Sequence, residues 1–426
     1  MPGHKPSRLH RWLEKATGVT GPYFEIYSVP TGALRDDVIH GITVTRGNGE
    51  RGGGYTPNLL EVSTKGLDTV DIVGWTVEAR LTSGAAEAIA TRCGNVTAEQ
   101  IRQRYYGRFA TTEVEDRGTQ FSTTYTASSW FTQLLYSNLI ALPLAGARVS
   151  TYLEDLFSIS DPWRHINIAF YGSFPYVAVT EEKSLSVKDG LSRYGDDIGL
   201  LFRETRDGLT KVMTLPYRTS QALAAVESSI PLTRSQAISP ASWSQSNERA
   251  SLSLDVTVTA NDGHVATLTV EDPDDPGWKE SSSVDWSQIR IEDEGWFESH
   301  SYREARARVF TTSTRWYQIP SITVDLLYLL RSDKTYHQQQ AGRLLTLEVG
   351  EPVFFSADWP PELRGVHFVE GITESIEPDG WEMKLSLIPW APSTGSKTLP
   401  SVPAKIWDSA RYPWDQETRT WNEAGN

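Results

Sequence analysis

The sequence predicts a mainly β protein in which two β-rich units flank a small α+β unit, and three observations carry that prediction. From Trp381 to Leu387, the large apolar residues Trp381, Met383, Leu385 and Leu387 alternate with Glu382, Lys384 and Ser386. Period-two alternation of this length marks a strand with one buried face. Leu252, Leu254, Val256 and Val258 alternate in the same way. They meet Val265, Thr267 and Thr269 across an Asn261-Asp262-Gly263 turn, which is a hairpin pattern. Between about 146 and 217 the period lengthens: Val149, Leu153 and Leu156 form a helical stripe. Fifteen tryptophans and 17 tyrosines among 426 residues, with only 3 methionines, fit the same class, because aromatic residues suit half-buried pleated surfaces.

In chain order, residues 1–35 read as an N-terminal arm with a short helix around Leu9–Ala16. Organised chain is expected from the β-branched strand Val38–Arg46. The glycine-rich run Gly47–Gly54 follows; it lacks the Gly-Lys-Ser/Thr ending of a phosphate cradle, so a hairpin connection is expected. Strands are expected at Leu59–Thr64 and Val70–Leu81. Residues 84–106 carry two readings: a helix opened by the capping box Thr97-Ala98-Glu99-Gln100 with Ile101 and Tyr105 one turn apart, or a strand entering Tyr106–Phe109. Asp116-Arg117-Gly118 then turns between two Thr-rich strands. A helix from about Ser128 places Trp130, Phe131, Leu134 and Leu135 on one side. In the α+β unit, 146–217, Ser186–Asp189 reads as a helix start with Leu191 and Tyr194 inward. Leu200–Arg203 and Thr210–Leu215 pair across Asp207-Gly208. Residues 218–247 connect to the second β-rich unit, which ends at 390. A helix around Tyr302–Thr312 and a strand or short helix over Ile319–Leu330 precede four expected strands. The first is Leu345-Leu347-Val349, followed by Val353–Phe355, His367–Thr373 and the Trp381 strand. The last two are separated by Pro378-Asp379-Gly380, where glycine is expected to supply positive φ. Four strands with tight turns imply a small antiparallel barrel or sandwich.

Composition excludes several functions. The net charge of −14 argues against sequence-independent nucleic-acid binding. The single cysteine, Cys93, excludes an internal disulfide and a cysteine-based zinc cage. The eight histidines are scattered with no HExxH, and no Gly-x-Ser-x-Gly elbow is present. No apolar run approaches a membrane span, and the basic N-terminus lacks the apolar core of a signal peptide. The acidic stretches Glu271–Asp275 and Glu292–Glu294 lack EF-hand spacing and read as solvated loops. No catalytic residue, metal or cofactor is expected. A glycosidase needs only two suitably spaced carboxylates, so a cell-wall-degrading or carbohydrate-binding protein stands as the alternative. Exposed Trp278, Trp286 or Trp296 would then stack on sugar, while Trp75, Trp130, Trp381 and Trp390 are expected in the core.

Several of these segments also resemble a known family. The step Gly350-Glu351-Pro352-Val353, then Phe368-Val369-Glu370-Gly371-Ile372, Ile376, the Trp381 strand and Pro389-Trp390 are similar to the closing segment of siphophage tail-hub proteins. These are also called minor tail proteins, and their fold resembles the baseplate hub of contractile phages. Val44-Thr45-Arg46-Gly47 and the series Gly107-Arg108-Phe109, strand, Asp116-x-Gly118 turn, strand, aromatic helix add to the likeness over residues 38–390. Ala127-Ser128-Ser129 departs from the family's Ala-x-Asp. The resemblance implies two antiparallel, tube-like β-barrel domains, 36–145 and 218–390, around the α+β domain. It also implies a structural virion protein at the tail tip, synthesised in the host cytoplasm and not an enzyme. Its copies would form a homotrimer whose six barrels make a ring closing the tail tube. Its partners would be a distal tail or tail tube protein, the tape-measure protein and a spike or fibre protein. Phage DNA would pass through the lumen without specific binding, and the protein would not insert stably in a membrane.

The polar tail, 391–426, places Trp407, Trp414 and Trp421 seven residues apart. Pro403 and Pro413 interrupt a continuous helix, so the three side chains are expected to anchor an extended arm in partner pockets.

Overall fold

The computed structural model describes residues 8–19, 21, 23–28, 32–34, 39–47, 57–65, 74–116, 121–135, 138–140, 147–160, 167–172, 174–177, 184–186, 200–214, 217, 232–233, 238–240, 244–245, 253–260, 265–270, 279–286, 289–290, 317–318, 321–356, 358–360 and 365–389. The chain opens on α1 (Arg8–Thr17), where Leu9 and Leu13, one turn apart, are fully buried. Strands β1 (Phe24–Ser28), β2 (Gly32–Leu34), β3 (Ile39–Gly47), β4 (Leu59–Lys65) and β5 (Thr76–Leu81) follow. After them come α2 (Ser83–Cys93), α3 (Ala98–Arg102), β6 (Gln103–Asp116), β7 (Phe121–Ser128) and α4 (Trp130–Leu135).

The middle of the chain holds β8 (Asn138–Ile140), α5 (Val149–Ser160), β9 (Asn167–Tyr171), β10 (Tyr176–Val177), β11 (Ser184–Ser186), β12 (Leu200–Glu204) and β13 (Leu209–Thr214). Short strands β14 (Ile238–Pro240) and β15 (Ser244–Gln245) lead to β16 (Ser253–Ala260), β17 (Val265–Val270), β18 (Lys279–Trp286), β19 (Ile289–Arg290) and β20 (Tyr317–Gln318). The described chain closes with β21 (Ser321–Asp325), α6 (Leu326–Arg331), α7 (Thr335–Thr346), β22 (Pro352–Phe355), β23 (Gly365–Glu377) and β24 (Gly380–Pro389).

One curled antiparallel sheet of 12 strands organises the fold, in the order β14-β21-β24-β23-β3-β4-β7-β6-β5-β1-β2 with β22 also on β23. The N-terminal and C-terminal β-rich segments meet where β3 lies against β23, with Ile42 opposite Ile376 and Arg46 opposite Ile372. Period-two alternation turns Ile42, Val44, Leu60, Val62, Val77, Ala79, Tyr125, Ala127, Ile372 and Ile376 to one buried face. Trp381, Met383, Leu385 and Leu387 join them as their alternation predicts, and the Trp381 ring meets Phe24 edge-on at 5.6 Å. Helices α1, α2, α6 and α7 pack on each other, with α1 and α6 against β24, and contribute to the same core. Among the smaller sheets, β12 and β13 form an antiparallel hairpin with β9 parallel to β13. Gly208 in its turn takes φ +81°, the left-handed conformation that the Asp207-Gly208 pair predicts. Strand β16 pairs with β17 as an antiparallel hairpin and with β18 in parallel.

Several local expectations meet a different structure. Leu345, Leu347 and Val349 do not form a strand: Leu345 lies in α7, and Leu347–Gly350 form its cap and a turn. Gly380 turns the β23–β24 hairpin without positive φ. Both readings of 84–106 hold in succession. The Thr97–Gln100 capping box opens α3, with Gln100 N–H donating to Thr97 Oγ1 at 3.3 Å and Thr97 N–H to Gln100 Oε1 at 2.8 Å. Tyr105 then belongs to β6. Helix α2 was not foreseen; Thr82 caps it by accepting the Ala85 N–H. Strand β5 begins only at Thr76. Ile319–Leu330 divides into β21 and α6 at Asp325, which accepts the Tyr328 N–H at 2.8 Å. Organised chain begins before Val38, since α1 and β1 are part of the core and β1 pairs with β5. Ser186 ends β11, while the helix expected after it, the helix over 302–312 and the tail 391–426 lie outside the described residues.

Because Trp381 is fully buried against Phe24, Trp381→Ala is expected to cost roughly 3–5 kcal/mol through lost burial and a cavity. Chemical denaturation checks it; a wild-type midpoint would contradict the packing. Deleting Gly52 and Gly53 should leave the same midpoint nearly unchanged.

Candidate functional site: a buried ion network and a cationic groove

Strand alternation turns two charged residues toward the apolar face of the main sheet. Arg46 follows Ile42 and Val44 on β3, and Glu374 lies between Ile372 and Ile376 on β23; both are fully buried. Arg104, buried on β6, supplies the counter-charge to Glu374. Its Nε donates to Glu374 Oε1 at 3.0 Å and its Nη2 to Oε2 at 2.5 Å, a two-pronged fit of fork to carboxylate. Trp381 Nε1 donates to the same carboxylate at 2.9 Å. Arg46 Nη1 donates to Glu348 Oε2 at 2.5 Å, and Arg206 Nε donates to the other oxygen of Glu348. A register shift between Val369 and Gly371 singles out Glu370, whose carboxylate accepts from Arg203 Nη2 at 2.7 Å. Gly47 makes that approach possible: with φ +65°, a Cβ there would stand 2.3 Å from the Glu370 carbonyl oxygen.

The arginines also end α7. Arg104 Nη1 donates to the Leu345 carbonyl at 2.8 Å and Arg206 Nη2 to the Leu347 carbonyl at 3.0 Å, with Arg206 Nη1 on Leu345 as well. Guanidinium groups on the last carbonyls stabilise a helix C-terminus. This is why Leu345–Val349, alternating like a strand, ends a helix instead.

Burial alone would raise the Glu374 carboxyl; the charge of Arg104, with Arg46 and Arg206, outweighs it and holds the group below its usual range. Glu348 is likewise raised by burial and lowered further by Arg206 and Arg46, with a net downward shift. Burial brings Arg203 down to about 10, and Arg104 down to about 10 against the opposing pull of Glu374. Glu348 and Glu374 therefore stay ionised. A glycosidase acid must keep its proton near neutrality, and these two carboxylates cannot fill that role. Among the described residues no group of three His, Cys, Asp or Glu side chains could hold a metal ion.

A second feature lies on the helical layer. Arg8, Arg11, Lys15, Arg92 and Arg331 line a groove of about 940 Å³ between α1, α2 and α6. Nothing in the sequence reading singled it out, although Arg8, Arg11 and Lys15 fall at one-turn spacing on a helix whose other face carries Leu9 and Leu13.

Of the tryptophans considered from sequence, Trp381 is core, and Trp75 and Trp130 are partly buried. Arg108 lies 5.6 Å from the Trp130 ring centroid and donates to the Gly74 carbonyl. Trp278, Trp296, Trp390 and the three expected anchors Trp407, Trp414 and Trp421 lie outside the described residues, as does the side chain of Trp286.

A wide antiparallel sheet curled around a helical layer, with a β-hairpin unit clamped to it by buried ion pairs, is a fold shared with phage tail proteins. No protein-family model and no curated protein sequence matches the chain. Solved structures do. The tail protein from Neisseria meningitidis MC58 superposes with a TM-score of 0.56 at 14% identity, over 87% of this chain and 98% of that one. The 43 kDa tail protein of prophage MuSo2 from Shewanella oneidensis gives 0.53 at 12% identity, over 87% and 100%. The prophage tail protein gp18 from Listeria monocytogenes EGD-e gives 0.50 at 9% identity, over 86% and 94%. At these identities the likeness is one of fold.

Removing one partner of a buried pair strands the other charge. Glu374→Gln is therefore expected to destabilise the protein by about 3–5 kcal/mol, and Arg104→Met with Glu374→Leu should recover part of that loss. The sign with pH follows from the lowered carboxyls. The folded chain binds fewer protons than the unfolded one near the ordinary value of 4.5, so their contribution is full above it and lost as pH falls through the depressed values. Urea midpoints across that window should fall more steeply for wild type than for Glu374→Gln. Parallel slopes would contradict the coupling.

Proposed function

We propose that this chain is a structural virion protein of a phage tail tip, a hub that closes the tail tube and anchors receptor-binding or penetration components. The observation that supports this most is the extent of the likeness: 87% of the chain superposes on 98% or more of two phage or prophage tail proteins, so the fold is shared nearly end to end. Three copies form a closed ring in this proposal. Segments 36–145 and 218–390 of each supply the β walls, and 146–217 lies between them in sequence. The tube or distal tail protein sits above, the tape-measure protein within, and a spike or fibre below. The net charge of −14 suits a lumen through which DNA passes without being held. The ionised state of Glu348 and Glu374 removes these two carboxylates as the proton donor that the cell-wall-degrading alternative needs.

Electron-microscopy class averages of the purified full chain test this directly. Threefold rings, with no clearing in a cell-wall zymogram, are expected; persistent monomers or a cleared zone would contradict it. Truncation after Trp390 tests the Trp407, Trp414 and Trp421 anchors. The thermal midpoint of the isolated chain should change little while incorporation into tails falls sharply. Normal infectious tails built from the truncated chain would refute the docking role.

A further inference from the structure

The groove on the helical layer concentrates positive charge on a chain whose net charge is −14. Two of its cations are already engaged. Arg92 donates to the Leu330 and Ser332 carbonyls and to Asp333, the acid on the groove wall, and Arg11 has an interaction of its own within the chain. Arg8, Lys15 and Arg331 are exposed, and none of the three forms an ion pair among the described residues. Trp12 packs on the core and leaves part of its ring accessible, and Ala16 and Ala88 line the same groove. Helix α1 is held in place by the buried Leu9 and Leu13 and by the Arg8 N–H, which donates to Asp379 at 3.0 Å. The groove is thus a fixed surface of cations around an aromatic ring. Its chemical complement is a chain segment that carries carboxylates next to a large aromatic side chain.

The sequence holds that combination beyond β24. Each tryptophan of the tail is followed within two residues by an acid: Trp407-Asp408, Trp414-Asp415 and Trp421-Asn422-Glu423. The densest of these is Trp414-Asp415-Gln416-Glu417, with two carboxylates beside one indole. Strand β24 sets where the tail departs. Its first residues lie at the groove end of the sheet: the Leu9 N–H donates to the Pro378 carbonyl in the turn before it, and Glu382 pairs opposite Asp325, the cap of α6. Pro389 stands at the other end, roughly 30 Å along the strand. The tail therefore leaves the sheet at the end remote from the groove. The 24 residues between Pro389 and Trp414 can extend up to roughly 80 Å, enough to cross to a neighbouring copy.

We propose that the cationic groove receives the Trp414–Glu417 segment of a second copy of this chain. Trp414 would lie against Trp12, and Asp415 and Glu417 would meet Arg8, Lys15 and Arg331. Groove and tail departure lie at opposite ends of β24, so the contact is head-to-tail and closes into a ring when the rotation permits. The proposal rests on the ring-forming hub reading above and gives one of the three expected tryptophan anchors its pocket.

The test uses the purified full chain in sedimentation velocity at low and high salt, with circular dichroism to confirm the fold. Three variants are compared: Arg8→Glu, Lys15→Glu and Arg331→Glu together in the groove, Asp415→Lys with Glu417→Lys in the tail, and Trp414→Ala. Each should weaken self-association roughly tenfold or more. An equimolar mixture of the two charge-reversed chains should associate again, because each groove then finds a tail of opposite sign only on the other chain. Wild-type association should weaken as salt screens the contact. Rings that form equally well in every variant would overturn the docking and leave the hub reading standing; if the groove variant then fails to enter tails, the groove serves another tail protein. Charge-reversed chains that stay apart when mixed would also overturn it, by showing that groove and tail do not meet between copies. A wild-type chain that stays monomeric at every concentration would defeat the docking and the ring together.

Discussion

A buried carboxylate can be kept only if a cation is brought to it, and this fold is arranged around that constraint. Glu374 faces the core from the middle of β23, and Arg104 reaches it from a segment 270 residues away in sequence. Glu348 draws in Arg46 and Arg206, and Glu370 draws in Arg203. Each pair ties together parts of the chain that local pattern would let form separately: β3, the start of β6, the β12–β13 hairpin and the end of α7. Buried pairs add little net stability over apolar packing, but a misplaced one is costly. We read the network as a register device. A one-residue slip of β3 against β23 would turn Arg46 away from Glu348 and every apolar partner with it.

What was legible in the sequence follows from how local its cause is. The Trp381 strand, the β6–β7 and β12–β13 hairpins, the stripe of α5 and the capping box of α3 are set by neighbours within a few residues, and they are present. The C-terminus of α7 was not legible. Leu345, Leu347 and Val349 alternate like a strand, and only Arg104 and Arg206, from distant segments, decide for a helix end by taking its carbonyls. The joining of the two β-rich segments through β3 and β23 is likewise a long-range pairing. A signal for the network was present but unused: Arg46 and Glu374 occupy positions where alternation calls for apolar side chains. A charge at a core position implies a partner for it. Arg8, Arg11 and Lys15 were similarly readable as one helical face, though not the groove they border, which needs α2 and α6 beside them.

These features sort by role. The ion network lies inside, with Glu348, Glu370 and Glu374 each met by an arginine. The cationic groove lies outside, on the helical layer of a chain with the fold of phage tail proteins.

The position of the chain in the particle tests that view most directly. Electron microscopy of intact tails labelled with antibody against this chain should show label confined to the tip distal to the head. Label spread along the tube, or absent from assembled tails, would contradict a tail-tip hub.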